Sequence, residues 1–476
     1  MNHNSKDILK NSGIEFGTSG ARGLVVDFTP AVCAAFTLNF LHLLLSEKNV
    51  NKVAIAIDNR PSSYAMAQAC ASAIMQMGID VAFFGVIPTP ALAYHSLTNA
   101  VPSIMVTGSH IPYDRNGLKF YRAEGEINKQ DEAAIINGDV TFTLPSELPA
   151  LAVKNTAAEE YVARYRNFFS QQSLKGMRIG IYEHSSAGRE LYPLIFSGLG
   201  AEVVRLGRSD EFVPIDTEAV SEADKQRALK WVKQYELDAL FSTDGDGDRP
   251  LLSDEDGVWL KGDILGLLCS VELGISAVAV PVSCNSAITK SHVFDHVELT
   301  KIGSPYVIEV FDKLAKNYAS WAGFEANGGY LLGSDIRRNA AELKSLPTRD
   351  AVLPVLSVLT ARGKGKIRER IRSLPERYTA SDRLQNFARE KSHALLTKVK
   401  QQPEWFLRQV SLSNNVVSID LTDGVRFTLN NDDIIHLRAS GNAPELRCYV
   451  ETVSSSASNQ LVNKVLDTIS KANLDI

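Results

Sequence analysis

V53AIAIDNRPSSYAMAQACASAIMQMGIDVAFFG85 decides the fold class. Its first six residues form an apolar run too short for a helix, which reads as a buried strand over Val53–Asp58. Ser62 or Ser63 is then placed to cap a helix that Gly78 terminates. Val81–Gly85 reads as a second strand and Pro102–Gly108 as a third. Strand, helix and strand in succession imply α/β layers. The cycle restarts at Met177–Glu183, passes AEVVRLG and a helix near Glu218–Tyr235, and reaches Asp238–Asp244. A third cycle begins near Lys261, with a strand over Ala277–Val282, then Val297–Gly303 and the strand-like GFEANGGYLL. Three such units of roughly a hundred residues indicate internal structural repetition. The last stretch differs: VVSIDLT and VRFTLN flank a turn at Asp423 and Gly424, and a helix near Asn459–Ala472 closes the chain. The expectation is therefore an α/β chain of three similar mixed α/β domains (1–153, 154–262 and 263–375) and a C-terminal α+β domain (376–476).

Hydrophobic residues make up 45% and charged residues 22% of the 476, the balance of a globular protein. The net charge of -5 argues against nucleic acid or an anionic membrane as partner, since both need a basic surface. Cys33, Cys70, Cys269, Cys284 and Cys448 are widely spaced, with no C-x-x-C pair, and read as reduced buried thiols. The N-terminus lacks the basic-then-apolar plan of a signal peptide. The most apolar stretch, Ala31–Leu45, is interrupted by Thr37, Asn39 and His42 and reads as a buried helix, too short to span a bilayer. A soluble, cytoplasmic protein is expected.

Chemistry concentrates in four loops. In D244GDGDRP250, Asp244, Asp246 and Asp248 follow a strand at alternate positions and can converge on one hard cation, which suits Mg²⁺. DGDG also fits a surface turn. An EF-hand is disfavoured: Glu255 falls at the twelfth place, but the sixth is Arg249 instead of glycine, and a strand precedes the loop. In V106TGSHIPYDRNGLKF120, Ser109 ends an apolar strand beside His110, with Lys119 nearby; its hydroxyl could carry a phosphoryl group, or simply close a turn. In R438ASGNAPELR447, Arg438 and Arg447 around a glycine turn could hold a phosphate or serve as surface ion-pair partners. In G323FEANGGY330, Glu325 and Asn327 could bond sugar hydroxyls, or mark a strand end.

These segments, in this order and together with F16GTSGARG23, resemble the α-D-phosphohexomutase superfamily almost end to end. The resemblance implies four domains around a central cleft, one loop from each, and a hexose phosphate as the small-molecule substrate. It implies a phosphoserine at Ser109 and Mg²⁺ held by Asp244, Asp246, Asp248 and the serine phosphate. Arg22 and Arg249 would sit near the transferring group, and His110 and Lys119 would move protons or contact phosphate. Glu325 would contact sugar hydroxyls, with Asn327 in the same loop. Arg438, Ser440, Asn442 and Arg447 would hold the phosphate that is not reacting. A hexose 1,6-bisphosphate would prime the serine, in a monomer or homodimer. The chain departs from common family forms at Gly108, Ile111, Asn442 and Ala443, and at Gly329, where the bacterial dual-specificity type has histidine. The TGSHIP and EANGG forms resemble those of surface-polysaccharide mannose mutases, which makes mannose phosphates the expected substrate and glucose phosphates the alternative. Glucosamine phosphate, or a metal-dependent sugar phosphatase, ranks lower.

Overall fold

The computed structural model describes residues 2–17, 20–145, 147–338, 340–361, 365–440 and 444–471. In the first main sheet, Lys52–Ile57 pairs in parallel with Asp80–Val86 and with Ser103–Val106, which is antiparallel to Arg115–Arg122. In the second, Arg178–Tyr182 pairs in parallel with Glu202–Leu206 and Ala239–Thr243, and the latter is antiparallel to Pro250–Leu252. In the third, Ala277–Pro281 pairs in parallel with His296–Thr300 and Trp321–Phe324, which is antiparallel to Tyr330–Leu332. One strand plan thus occurs three times, as the strand-helix-strand cycles predict.

This repetition positions the site. In every copy a functional loop leaves the C-terminal end of the third strand, before the antiparallel return: Thr107–Asp114, Asp244–Arg249 and Glu325–Gly329. The carboxyl ends of parallel strands are where α/β sheets place ligands.

The three sheets share one apolar core containing Ala54, Tyr161, Phe241, Leu265 and Phe324. The fourth sheet, Tyr378–Leu384, Leu446–Thr452, Ile434–Ala439, Val425–Leu429 and Val416–Asp420 in spatial order, is antiparallel throughout. It has its own core, built from Leu395, Phe406, Phe427, Leu437 and Val465. Polar bonds carry its seam with the third sheet. Ser286 donates from N and Oγ to Glu451, Ile302 N donates to Asp423 Oδ2 at 2.9 Å, and Lys290 pairs with Asp432 at 3.0 Å.

The helix expected over Ala31–Leu45 spans Pro30–Leu45, with Thr29 Oγ1 accepting the Val32 N–H at 3.3 Å, and it is buried on nearly every side. No described helix is long and apolar enough to cross a membrane. All five cysteines are free and buried.

Three helix starts differ from expectation. The helix Ser63–Gln76 begins after Ser62 without a side-chain cap, because Ser62 Oγ accepts from Asn116 and Ser63 Oγ donates to Asp58. The helix expected from Glu218 begins at Glu222, with Ser221 as its cap. Residues 216–219 are instead held in a turn, Asp216 Oδ1 accepting the N–H groups of Glu218 and Ala219. The closing helix spans Ser455–Lys471, about one turn earlier than its sequence pattern suggests.

Candidate active site

Ser109 sits at φ 53°, in the left-handed region that non-glycine residues seldom occupy. Its N–H donates to Thr107 Oγ1 at 2.8 Å, and its Oγ donates to Asp244 Oδ2 at 2.8 Å. Strand ends far apart in sequence thus bring the hydroxyl onto the carboxylate triplet. Ser109 is 1% exposed, whereas its neighbours His110 and Arg249 line the cleft, so that pair guards access to Oγ.

One ligand oxygen from each of Asp244, Asp246 and Asp248 lies within 4.8 Å of the others, and all three residues are buried. Asp244 Oδ1 accepts the N–H groups of Asp248 and Arg249, both at 3.2 Å, which curls the loop. Lys119 Nζ pairs with Asp246 Oδ2 at 2.7 Å and Asp248 Oδ2 at 2.9 Å. Burial opposes the Lys119 charge, but those two carboxylates outweigh it and hold its pKa above the ordinary value. Burial, then Asp246 and Asp248, push the Asp244 carboxyl well above the usual carboxylate range. The Oδ1 atoms of Asp246 and Asp248 are buried and have no hydrogen-bond donor. Buried anionic oxygens with one lysine against them fit a hard divalent cation of the Mg²⁺ type.

The cleft beside this cluster is open to solvent and offers about 320 Å³, room for a sugar carrying two phosphates. Arg22, Arg249, Arg349, Arg383 and Arg447 line it, with Asp216, Glu218, Glu325 and Asp382. Burial, then Arg249 and Arg349, pull the Arg22 pKa down to about 10, so its charge survives at neutral pH among like charges. Cations crowded in this way fit an anionic ligand. Arg249, then burial and Arg22, lower the His110 pKa to about 2. Arg249 Nη1 donates to His110 Nδ1 at 3.1 Å, so the neutral imidazole accepts there and carries its proton on Nε2. Ser109 Oγ lies 3.5 Å from the same Nδ1.

In the third loop Glu325 is buried and accepts from Arg349 Nε. Asn327 Oδ1 already accepts the Gly329 N–H at 3.0 Å, which leaves its amide nitrogen to face a ligand. A Cβ at Gly329 would lie 2.6 Å from Arg349 Cδ, so the glycine admits the Arg349 side chain. Read from the chain alone, Gly329 gave no pointer to Arg349. Asp216, Glu218 and Arg383 left no signal at all. The segment of Asp216 and Glu218 is tied to the Glu325 loop by Thr217 Oγ1, which donates to Asn327 O at 2.7 Å. Arg349→Met is expected to cost ~3–5 kcal/mol in urea unfolding, because Glu325 is then a buried charge without its guanidinium. A loss under ~1 kcal/mol would mean that water reaches Glu325 in the variant.

In the fourth loop Arg447 lines the cleft and Ser440 is buried, its N–H donating to Glu445 O at 2.9 Å. Arg438 does not line the cleft; its Nε faces Asp423 Oδ2 at 2.8 Å. Asn442 lies outside the described residues.

The family description Phosphoglucomutase/phosphomannomutase matches three stretches: alpha/beta/alpha domain I over residues 13–140, domain II over 159–257, and the C-terminal domain over 378–468. A phosphomannomutase of Salmonella muenchen is 57% identical over 468 residues, 98% of each chain. The chain belongs to the phosphoglucomutase/phosphomannomutase family. A second phosphomannomutase, from Sinorhizobium fredii, is 38% identical over 97% of this phosphohexomutase and 99% of its own length. The solved structure of a Phosphoglucomutase/phosphomannomutase family protein from Burkholderia thailandensis superposes with TM-score 0.72 over 98% of both chains at 18% identity, a likeness of fold. The three matched stretches of this phosphohexomutase contain Ser109, the aspartate triplet and Arg447.

Proposed function

We propose that this phosphohexomutase is a phosphomannomutase, which interconverts mannose 6-phosphate and mannose 1-phosphate through a phosphoserine at Ser109 and a hexose 1,6-bisphosphate. The observation that carries the proposal is the 2.8 Å bond from Ser109 Oγ to Asp244 Oδ2, beside a cleft lined by Arg447. Two full-length relatives that bear the phosphomannomutase name, at 57% and 38% identity, support mannose.

Asp244, Asp246, Asp248 and an oxygen of the serine phosphate would hold Mg²⁺. Its charge would offset the negative charge that phosphoryl transfer gathers between donor and acceptor. The chain's own residues do the positioning. Arg447, Ser440 and Asn442 hold the distant phosphate, and Glu325, with Asn327 beside it, orients the sugar by its hydroxyls. Transfer forms a bond between a sugar oxygen and phosphorus and breaks the phosphorus–Oγ bond, and the hydroxyl proton ends on Ser109 Oγ. His110, kept neutral by Arg249, and Lys119 are the groups assigned to that proton or to the phosphate oxygens. Arg22 and Arg249 stabilise the transferring group. The bisphosphate then turns end for end and returns its other phosphoryl group to Oγ. Added hexose 1,6-bisphosphate primes the serine. The enzyme is assigned to the cytoplasm, as a monomer or homodimer.

Phosphorus NMR on mannose 1-phosphate and glucose 1-phosphate, with primer, tests this reading. Mannose 1-phosphate should isomerise about tenfold faster or more, and chelation of Mg²⁺ should stop both reactions. Release of free phosphate alone would make the protein a phosphatase, and equal rates would remove the mannose assignment.

A further inference from the structure

We propose that Arg60 is a positioning residue for the transfer step: its buried guanidinium fixes the serine loop so that Ser109 Oγ is aimed at the carboxylate triplet. The inference rests on the phosphoserine reading above. Arg60 follows the strand Lys52–Ile57, is 3% exposed and does not line the cleft. Its effect must therefore pass through the loop.

Four carbonyl groups of the segment from Ser109 to Arg115 converge on this one side chain. Nη1 donates to Pro112 O at 2.6 Å and to Arg115 O at 2.8 Å. Nη2 donates to Ser109 O at 3.0 Å and to Ile111 O at 2.5 Å. Nε donates to Asp58 Oδ2 at 3.2 Å, and the same oxygen accepts from Thr107 Oγ1 at 2.7 Å. Because Thr107 Oγ1 also accepts the Ser109 N–H, both main-chain polar groups of Ser109 lead back to the Asp58–Arg60 pair. Those two bonds hold the serine at its positive φ, a conformation that costs ~1 kcal/mol or more without such support.

The flat faces of the guanidinium are also used. The Phe212 ring lies over it, 3.9 Å from Cζ to the centroid. A Cβ at Gly108 would lie 2.7 Å from the same Cζ, so glycine there lets the guanidinium press against the loop. Phe212 reaches the metal loop as well: a Cβ at Gly245 would sit 2.9 Å from its Cε2 and 2.8 Å from Ser109 O. Arg60 is thus wedged where the nucleophile's loop, the triplet's loop and Phe212 meet. A planar fork suits this place, and an ammonium cannot reproduce it.

A rivet that merely stabilised the loop would change melting without changing the chemical step, so the test separates kcat from KM. Arg60→Lys should lower kcat about 30-fold or more while KM for mannose 1-phosphate stays within about threefold. Single-turnover loss of phosphate from Ser109 should slow by the same factor, with a cooperative thermal melt. A kcat within about threefold of the parent, or a rise in KM that accounts for the whole loss of kcat/KM, overturns the proposal. Should Arg60→Lys fail to fold, Phe212→Leu is measured the same way: a drop of about threefold to tenfold in kcat at constant KM supports the proposal, and unchanged kcat overturns it. A parent enzyme without phosphate on Ser109 overturns the phosphoserine reading and this inference with it. A phosphorylated parent with an unaffected Arg60→Lys overturns this inference alone.

Discussion

Ser109→Ala is expected to abolish turnover of mannose 1-phosphate, a loss of ~10⁴-fold or more, with the fold intact. Only the hydroxyl is removed. The bonds that fix this residue, from its N–H to Thr107 and to its carbonyl from Arg60, belong to the main chain and remain. Alanine meets the same backbone strain as serine at φ 53°, so stability should change by less than ~1 kcal/mol. A second hydroxyl makes the prediction sharper. Thr89 Oγ1 donates to Asp246 Oδ2 at 2.7 Å, so two side-chain hydroxyls reach the triplet. Thr89, the first residue of the helix Thr89–Asn99, is fully buried, and neither Pro88 nor Pro90 lines the cleft as His110 does. Incubation with radiolabelled hexose 1,6-bisphosphate, followed by digestion, should place the label on the Ser109 peptide in the parent and in Thr89→Val. Ser109→Ala should take up none. Label on Thr89, or turnover surviving in Ser109→Ala, would remove the nucleophile from this account.

Asp244→Asn should lower kcat by about 10³-fold and raise the Mg²⁺ concentration needed for half activity. The substitution preserves shape. Its side-chain oxygen can still accept the N–H groups of Asp248 and Arg249, and its amide can donate to the Ser109 hydroxyl. What disappears is one negative charge from a buried triplet. The thermal stability should therefore change in opposite directions with and without cation. Relieved of repulsion from Asp246 and Asp248, the metal-free variant should melt no lower than the metal-free parent. Added Mg²⁺ should raise the parent's melting temperature, since a ligand bound to the folded state alone stabilises it, and should scarcely move the variant's. A variant that melts lower without metal, yet gains as much from Mg²⁺ as the parent, would assign Asp244 to the scaffold.

The parts of the site that could be read from sequence are those whose chemistry is local. Asp244, Asp246 and Asp248 share one turn, and Ser109 closely follows the strand Ser103–Val106, recognisable by its own apolar run. The strand plan was legible for the same reason, since each cycle carries its periodicity and punctuation within a short stretch. Residues whose meaning lies in a distant partner escaped. Arg349 matters because it meets Glu325 and Asp248, and Arg60 because it meets four carbonyls of the distant segment from Ser109 to Arg115. Nothing near either arginine in the chain announces this. Arg438 shows the converse: the residue type suggested a phosphate ligand, but Asp423 on the neighbouring turn claims its guanidinium. The helix start at Glu222 was hidden likewise, because Thr217 holds the preceding turn against Asn327, a contact between units that no local propensity encodes.

Each functional loop of the first three sheets is clasped at both ends by the two strands of one antiparallel pair. The Ser109, Asp244 and Glu325 loops are therefore rigid fittings, each fastened to its own plate. Small shifts between plates alter the spacing of the fittings but leave the aim of each one unchanged. Because the three plates share one apolar core, the spacing of the loops is set by packing between sheets and not by the folding of any loop.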